Sequence, residues 1–154
     1  MKHTWLVGIL ASVLLVGSAA AQTQTAAGEV PTGDMALGSV TIPRAVTADG
    51  KPLARGTYQV RLTAQTATTP APGATAALER WVEFVQGGQV KGREVVSIVP
   101  AGEVKDLMPG PDSGKPVTNA AKVELLKGND YVRVWINRKG VNYLIHLPAS
   151  ATTS

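Results

Sequence analysis

The chain has no cysteine among its 154 residues. That excludes disulfide staples, thiolate nucleophiles, cysteine-ligated zinc and iron–sulfur clusters, so stability has to come from an ordinary core. Histidine is almost as scarce, with His3 and His146 alone, and His3 lies in an N-terminal segment that reads as a removable signal. A three-histidine metal site is excluded, and no carboxylate cluster shows metal-ligand spacing, so neither metal nor cofactor is expected. Aromatic residues make up 5% of the chain and no basic run interrupts the mixed charges, which leaves nucleic-acid binding without support. There is no Gly-x-Ser-x-Gly elbow, and Gly87-Gly88 lacks the Lys-Ser/Thr that follows a phosphate-cradling loop.

Long apolar runs are also missing, except at the start. Met1-Lys2-His3 is a short basic opening, residues 6–16 are almost continuously apolar, and Ala19-Ala20-Ala21 precedes Gln22. These are the three parts of a secretory signal peptide, with cleavage expected after Ala21. The apolar run is short of the roughly 20 residues a membrane span needs, so no transmembrane anchor is expected after cleavage. No Arg-Arg pair precedes the run, which argues against twin-arginine export, and no cysteine follows to carry lipid. The sequence therefore points to a periplasmic or extracellular protein. Loss of Lys2 would lower the formal charge from +4 to about +3, spread over a mixed surface.

What is present is β-sheet signal. Sixteen glycines, ten prolines and many Val/Thr-rich runs favour an all-β fold. Residues 22–38 read as a flexible leader, 39–149 as one β domain and 150–154 as a disordered tail. Residues 39–46 suit a first strand that Pro43 confines to an edge or breaks. Residues 48–52 form a turn, and in residues 57–64 Tyr58, Val60, Leu62 and Ala64 alternate with polar neighbours. Residues 65–77 are low-complexity loop, and residues 103–108 suit one helical turn. Residues 78–86 and 89–99 flank Gly87-Gly88 as a hairpin, which sets Gln86 opposite Gln89 and Trp81 opposite Glu94 unless Gly92 hosts a bulge. Trp81 and Phe84 fall on opposite faces. Counting runs gives an antiparallel β-sandwich or small barrel of about seven strands.

The chain closes on a three-stranded meander in residues 122–147. A two-residue Gly128-Asn129 loop of type II′ sets Leu126 opposite Tyr131, Leu125 opposite Val132, Glu124 opposite Arg133 and Val123 opposite Val134. For the second turn, a four-residue Asn137–Gly140 loop pairs Ile136 with Val141; a three-residue loop with a Gly140 bulge pairs Asn137 with Val141. The first alternative keeps Val132, Val134, Ile136, Val141, Tyr143 and Ile145 on one apolar face, so it is preferred. The other face then carries Tyr131 beside His146, Arg133 beside Leu144, and Trp135 beside Asn142.

Two sets of residues are candidates for chemistry. Tyr131, Arg133, Trp135, Asn142 and His146 combine flat apolar surface with fixed donors, as a carbohydrate, peptide or envelope-protein site requires. Glu79, Glu83 and Glu94 are the alternative, an acid/base set for a small hydrolase. Glu79 and Glu83 lie about 13 Å apart by strand rise, too far for a glycosidase pair, and strand glutamates more often match neighbours such as Arg80 and Arg93. The reading is an exported, non-catalytic binding or structural envelope module. A subunit that docks through a sheet edge is a third possibility.

Overall fold

A computed structural model describes residues 28–67, 78–103 and 114–150. The expected signal peptide, residues 22–27 of the expected leader, residues 68–77 of the expected loop, the expected helical turn beyond Glu103 and the expected tail after Ser150 lie outside the described residues. Nine strands form: β1 (Met35–Ile42), β2 (Val46–Ala48), β3 (Lys51–Leu53), β4 (Gly56–Thr66), β5 (Glu79–Gln86), β6 (Gln89–Val99), β7 (Ala121–Leu125), β8 (Tyr131–Arg138) and β9 (Val141–Pro148). Seven build one antiparallel sheet in the order β1-β4-β5-β6-β9-β8-β7, nearly closed into a small barrel, while β2 and β3 pair as a separate hairpin.

The first strand begins at Met35, inside the stretch read as leader, and stops before Pro43; β2 resumes at Val46. Proline has no N–H to give a ladder, so it sits in the break. Every neighbouring pair in the seven-stranded sheet is antiparallel. Six reversals leave β1 and β7, the two edges, running in the same direction. They approach each other across a seam, but no ladder joins them among the described residues.

The interior holds one face of each strand. Tyr58, Val60 and Leu62 of β4, Val82 and Phe84 of β5, and Val96 and Ile98 of β6 are buried. Val132, Val134, Ile136, Val141, Tyr143, Ile145 and Leu147 complete the core from β8 and β9. The expected alternation of β4 fails at Ala64, which is exposed, because two extra residues bulge between Leu62 and Thr66. Gly87-Gly88 makes the expected hairpin, with Gln86 opposite Gln89 and both glycines at positive φ. A bulge beside Gly92 then shifts the register by one, so that Val82 rather than Trp81 faces Glu94.

Strand β6 pairs β9 only from Val96 to Val99. Above that point the β2–β3 hairpin lies against both strands, burying Val46, Ala48 and Leu53. A Cβ on Gly92 would meet Ala48 Cβ and Leu53 Cδ1 at 3.3 Å, so the missing side chain lets the hairpin seat. Asp49 fixes its tip: its N–H donates to Glu94 Oε2 at 2.9 Å, and its carboxylate takes Arg93 Nε at 2.8 Å.

The β7–β8 register is the expected one, from Leu125 opposite Val132 through Val123 opposite Val134. The turn is not type II′. Gly128 and Asn129 both have positive φ (100° and 62°), and the turn closes with Asn129 N–H donating to Leu126 O at 2.9 Å. Leu126 N–H still donates to Tyr131 O at 2.9 Å, which preserves the register. The β8–β9 turn corrects both registers considered. Arg138 stands opposite Val141 and Asn137 opposite Asn142, leaving a two-residue loop with Lys139 and Gly140 at φ 51° and 86°. Relative to the preferred pairing, every β9 residue moves two positions along β8. Faces are kept, since the side-chain period is two, but partners change.

Candidate functional site

The outer face of the meander is built on three strands. Its rows are Tyr131 and Pro148 at the upper end, then Glu124, Arg133 and His146, then Lys122, Trp135 and Leu144, with Asn137 and Asn142 lowest. Tyr131 does not meet His146, and Trp135 and Asn142 are diagonal rather than opposite. The five residues share one face but divide into three environments.

The lower part is packed. Trp135 is 1% exposed and clusters with Val99 and Leu144. Its indole N–H donates to Asn142 Oδ1 at 3.0 Å, and Asn137 Nδ2 donates to the same oxygen at 3.2 Å. Asn137 Oδ1 in turn accepts Gly140 N–H at 3.2 Å, tying the array to the β8–β9 turn. A buried indole needs such an acceptor, because an unmet N–H away from water costs about 1–3 kcal/mol.

The middle is charged. Glu124 accepts Arg133 Nε at 2.7 Å and an Nη2 contact, and its other oxygen lies 3.0 Å from Lys122 Nζ. Burial alone would raise the Glu124 pKa, but the hydrogen bonds from Arg133 and Lys122 outweigh it and hold the carboxyl below its ordinary value. Arg133 also lies over the Trp135 ring, 5.6 Å from its centroid. His146, exposed opposite Arg133, is held below the usual imidazole pKa by partial desolvation and the neighbouring cation.

The upper part is open. Tyr131 is 45% exposed and borders a pocket of about 410 Å³ together with Arg44, Asn129, Asp130, Pro148 and Ser150. The pocket forms where the chain returns on itself: Val46 bridges Ala149, Ala149 N–H donates to Asp130 O at 2.7 Å, and Ser150 N–H donates to Ala45 O at 3.1 Å. Arg44, Asn129 and Asp130 place guanidinium, amide and carboxylate groups beside an aromatic ring. No family model, curated protein or solved structure matches this chain. The geometry alone has to carry the reading. Arg44, Asn129, Asp130 and Ser150 were not legible as site residues, because the contact between the Pro43–Val46 corner and Ala149 is long-range.

Glu79 and Glu83 share the outer face of β5, four residues apart, and Glu94 does not join them. Glu83 is bound by Arg61, with Nε at 3.0 Å. Glu94 stands opposite inward-facing Val82, whereas Glu83 is one residue along on the other face. Glu94 receives the Asp49 N–H. Neither arginine expected to match them does so directly: Arg93 bonds Asp49 and covers the Trp81 ring at 4.3 Å, and Arg80 turns into the barrel. Among the described residues no group of three or more His, Asp or Glu side chains could hold a metal ion, and no helix is long and apolar enough to cross a membrane.

Proposed function

We propose that the chain is an exported, non-catalytic binding module that contacts a carbohydrate through the upper part of the meander face. The supporting observation is the open pocket at Tyr131, where a half-exposed aromatic ring adjoins Arg44, Asn129 and Asp130. A sugar ring stacks its C–H face on an aromatic surface while planar amide and carboxylate groups bond its hydroxyls. Arg133 and His146 extend that polar rim down the face. Trp135 and Asn142 serve as its fixed backing, buried and bonded to each other. Export rests on the signal-like residues 1–21. Placement of Glu94 on the face opposite that of Glu79 and Glu83 leaves the hydrolase alternative without a convergent pair across the hairpin.

The test is calorimetric titration of the purified protein with soluble envelope-type oligosaccharides and peptides. Saturable sugar binding lost in Tyr131→Ala, and kept in Ser97→Ala on another strand, supports the reading. Sugar binding that survives Tyr131→Ala, or binding of peptides alone, sinks it.

A second reading, docking of the barrel into an envelope complex, is favoured by the unpaired β1 and β7 edges and by Leu125, 44% exposed on β7. Its signature is a partner captured from envelope extract by the parent protein and lost on Leu125→Lys.

A further inference from the structure

At the end of the barrel opposite Tyr131, β5 sends a cation inward. Arg80 shares the inner face with Val82 and Phe84 and is 3% exposed. Its guanidinium is held by backbone carbonyls. Nε donates to Thr63 O at 2.7 Å, Nη2 donates to Gly33 O at 2.7 Å and again to Thr63 O, and Nη1 donates to Pro31 O. Four of the five N–H groups of an arginine are thus used, and one on Nη1 is left among the described residues. All four acceptor contacts are neutral. The groups that attract Arg80 are the Tyr143 hydroxyl and the Asp34 carboxylate, but Asp34 Oδ1 accepts Ala64 N–H at 2.6 Å, and no carboxylate forms an ion pair with Arg80 among the described residues.

A buried guanidinium without a carboxylate is costly, and the usual remedy is a paired anion. Space for one adjoins it. A cavity of about 320 Å³ is lined by Val30, Pro31, Thr32, Ala64, Thr66 and Arg80, at the small end of the roughly 300–1,000 Å³ found for ligand pockets.

We propose that this cavity binds a small monocarboxylate bearing a short apolar group, with Arg80 as its cationic partner. The head group is set by the donors: one remaining guanidinium N–H, supported by the Thr32 and Thr66 hydroxyls, suits a single carboxylate. A phosphate dianion would leave its second charge against Val30, Pro31 and Ala64. Those same apolar walls favour a ligand with a hydrocarbon portion over a bare ion.

The experiment is titration of the purified chain with acetate, butyrate and hexanoate, with hexanol and inorganic phosphate as controls, followed by backbone amide NMR shifts. Because Arg80 also holds the 31–33 segment, removing it risks the fold, so the variants are made at exposed Thr66. Thr66→Glu puts a carboxylate into the cavity, and Thr66→Gln is its neutral counterpart. Hexanoate is expected to bind saturably with shifts centred on residues 30–34, 64–66 and 80. Hexanol and phosphate are expected to fail. Thr66→Glu should weaken hexanoate at least about tenfold while Thr66→Gln stays within about threefold of the parent. The proposal is overturned if no carboxylate saturates, if hexanol or phosphate binds as well as hexanoate, or if the two Thr66 variants bind alike.

Discussion

Trp135 and Asn142 are joined by a 3.0 Å hydrogen bond that runs diagonally across β8 and β9, with both residues buried. The Asn142 carbonyl oxygen serves two donors, the indole and Asn137 Nδ2. Asn142→Ala therefore strands two N–H groups and should cost about 2–4 kcal/mol in urea unfolding, with an unchanged m-value. Iodide should barely quench the Trp135 component of the fluorescence, as judged against Trp135→Phe. A loss under about 0.5 kcal/mol would show that the array does not stabilise the meander.

Gly92 makes a different prediction. Its φ is ordinary, so the constraint is space, with Ala48 and Leu53 both 3.3 Å from where a Cβ would sit. Gly92→Val should push the β2–β3 hairpin off the barrel and cost about 1–3 kcal/mol by overpacking. Limited proteolysis should then cut near Asp49-Gly50 sooner than in the parent. An unchanged cleavage pattern would mean that the hairpin is not seated through Gly92.

Two groups on the meander face tie stability to pH on the acid side. The folded-state pKa of His146 lies below its ordinary 6.5, so the unfolded chain binds its proton first and stability falls as pH drops below 6.5. The folded-state pKa of Glu124 lies below 4.5, so its contribution is full above that value and is lost as pH falls through the folded pKa. His146→Gln should flatten the upper step and Glu124→Gln the lower one in melts taken from pH 8 to pH 3. If both steps persist in both variants, other groups dominate the acid response.

Tyr143 acts at the alkaline end. Burial pushes its hydroxyl up to about 12 against the attraction of Arg80, and the hydroxyl has no hydrogen-bond partner among the described residues. A raised folded pKa means that stability is full below pH 10 and declines as pH rises toward the folded value. Tyr143→Phe removes both the orphan hydroxyl and that decline. It should match or exceed the parent at pH 7, by up to about 1–2 kcal/mol, and lose less stability at pH 11. A variant destabilised at pH 7 would show that the hydroxyl has a partner after all.

The parts of the fold that were legible rest on short-range chemistry. Glu124 opposite Arg133 and the alternation of Val123, Leu125, Val132 and Val134 specify one β7–β8 register, which the structure adopts despite a different turn type. The β8–β9 register was misjudged because Asn137 looks like a turn residue. It is instead a strand residue whose side chain caps the turn through Gly140 N–H, and Lys139 takes the positive φ that its identity does not announce. In the candidate site, Tyr131 and Arg133 were legible as outward-facing, but the pocket residues were not. Burial of Trp135 against Val99 depends on β6 pairing β9, a contact spanning more than 40 residues of chain. Arg80 was misread as a surface partner for glutamates, since nothing in its own strand reveals that carbonyls of residues 31, 33 and 63 would meet it.

The odd number of strands has a mechanical consequence. With seven strands alternating in direction, the first and last edges can meet only in parallel, and among the described residues no ladder joins them, so the wall of this barrel has one line along which no row of backbone bonds must break. Thermal opening should start there and spread outward. Amide protons facing that line on β1 and β7 should exchange with solvent before those of β5 and β9, each flanked on both sides. The line of first opening is then the seam between two strand edges rather than a loop.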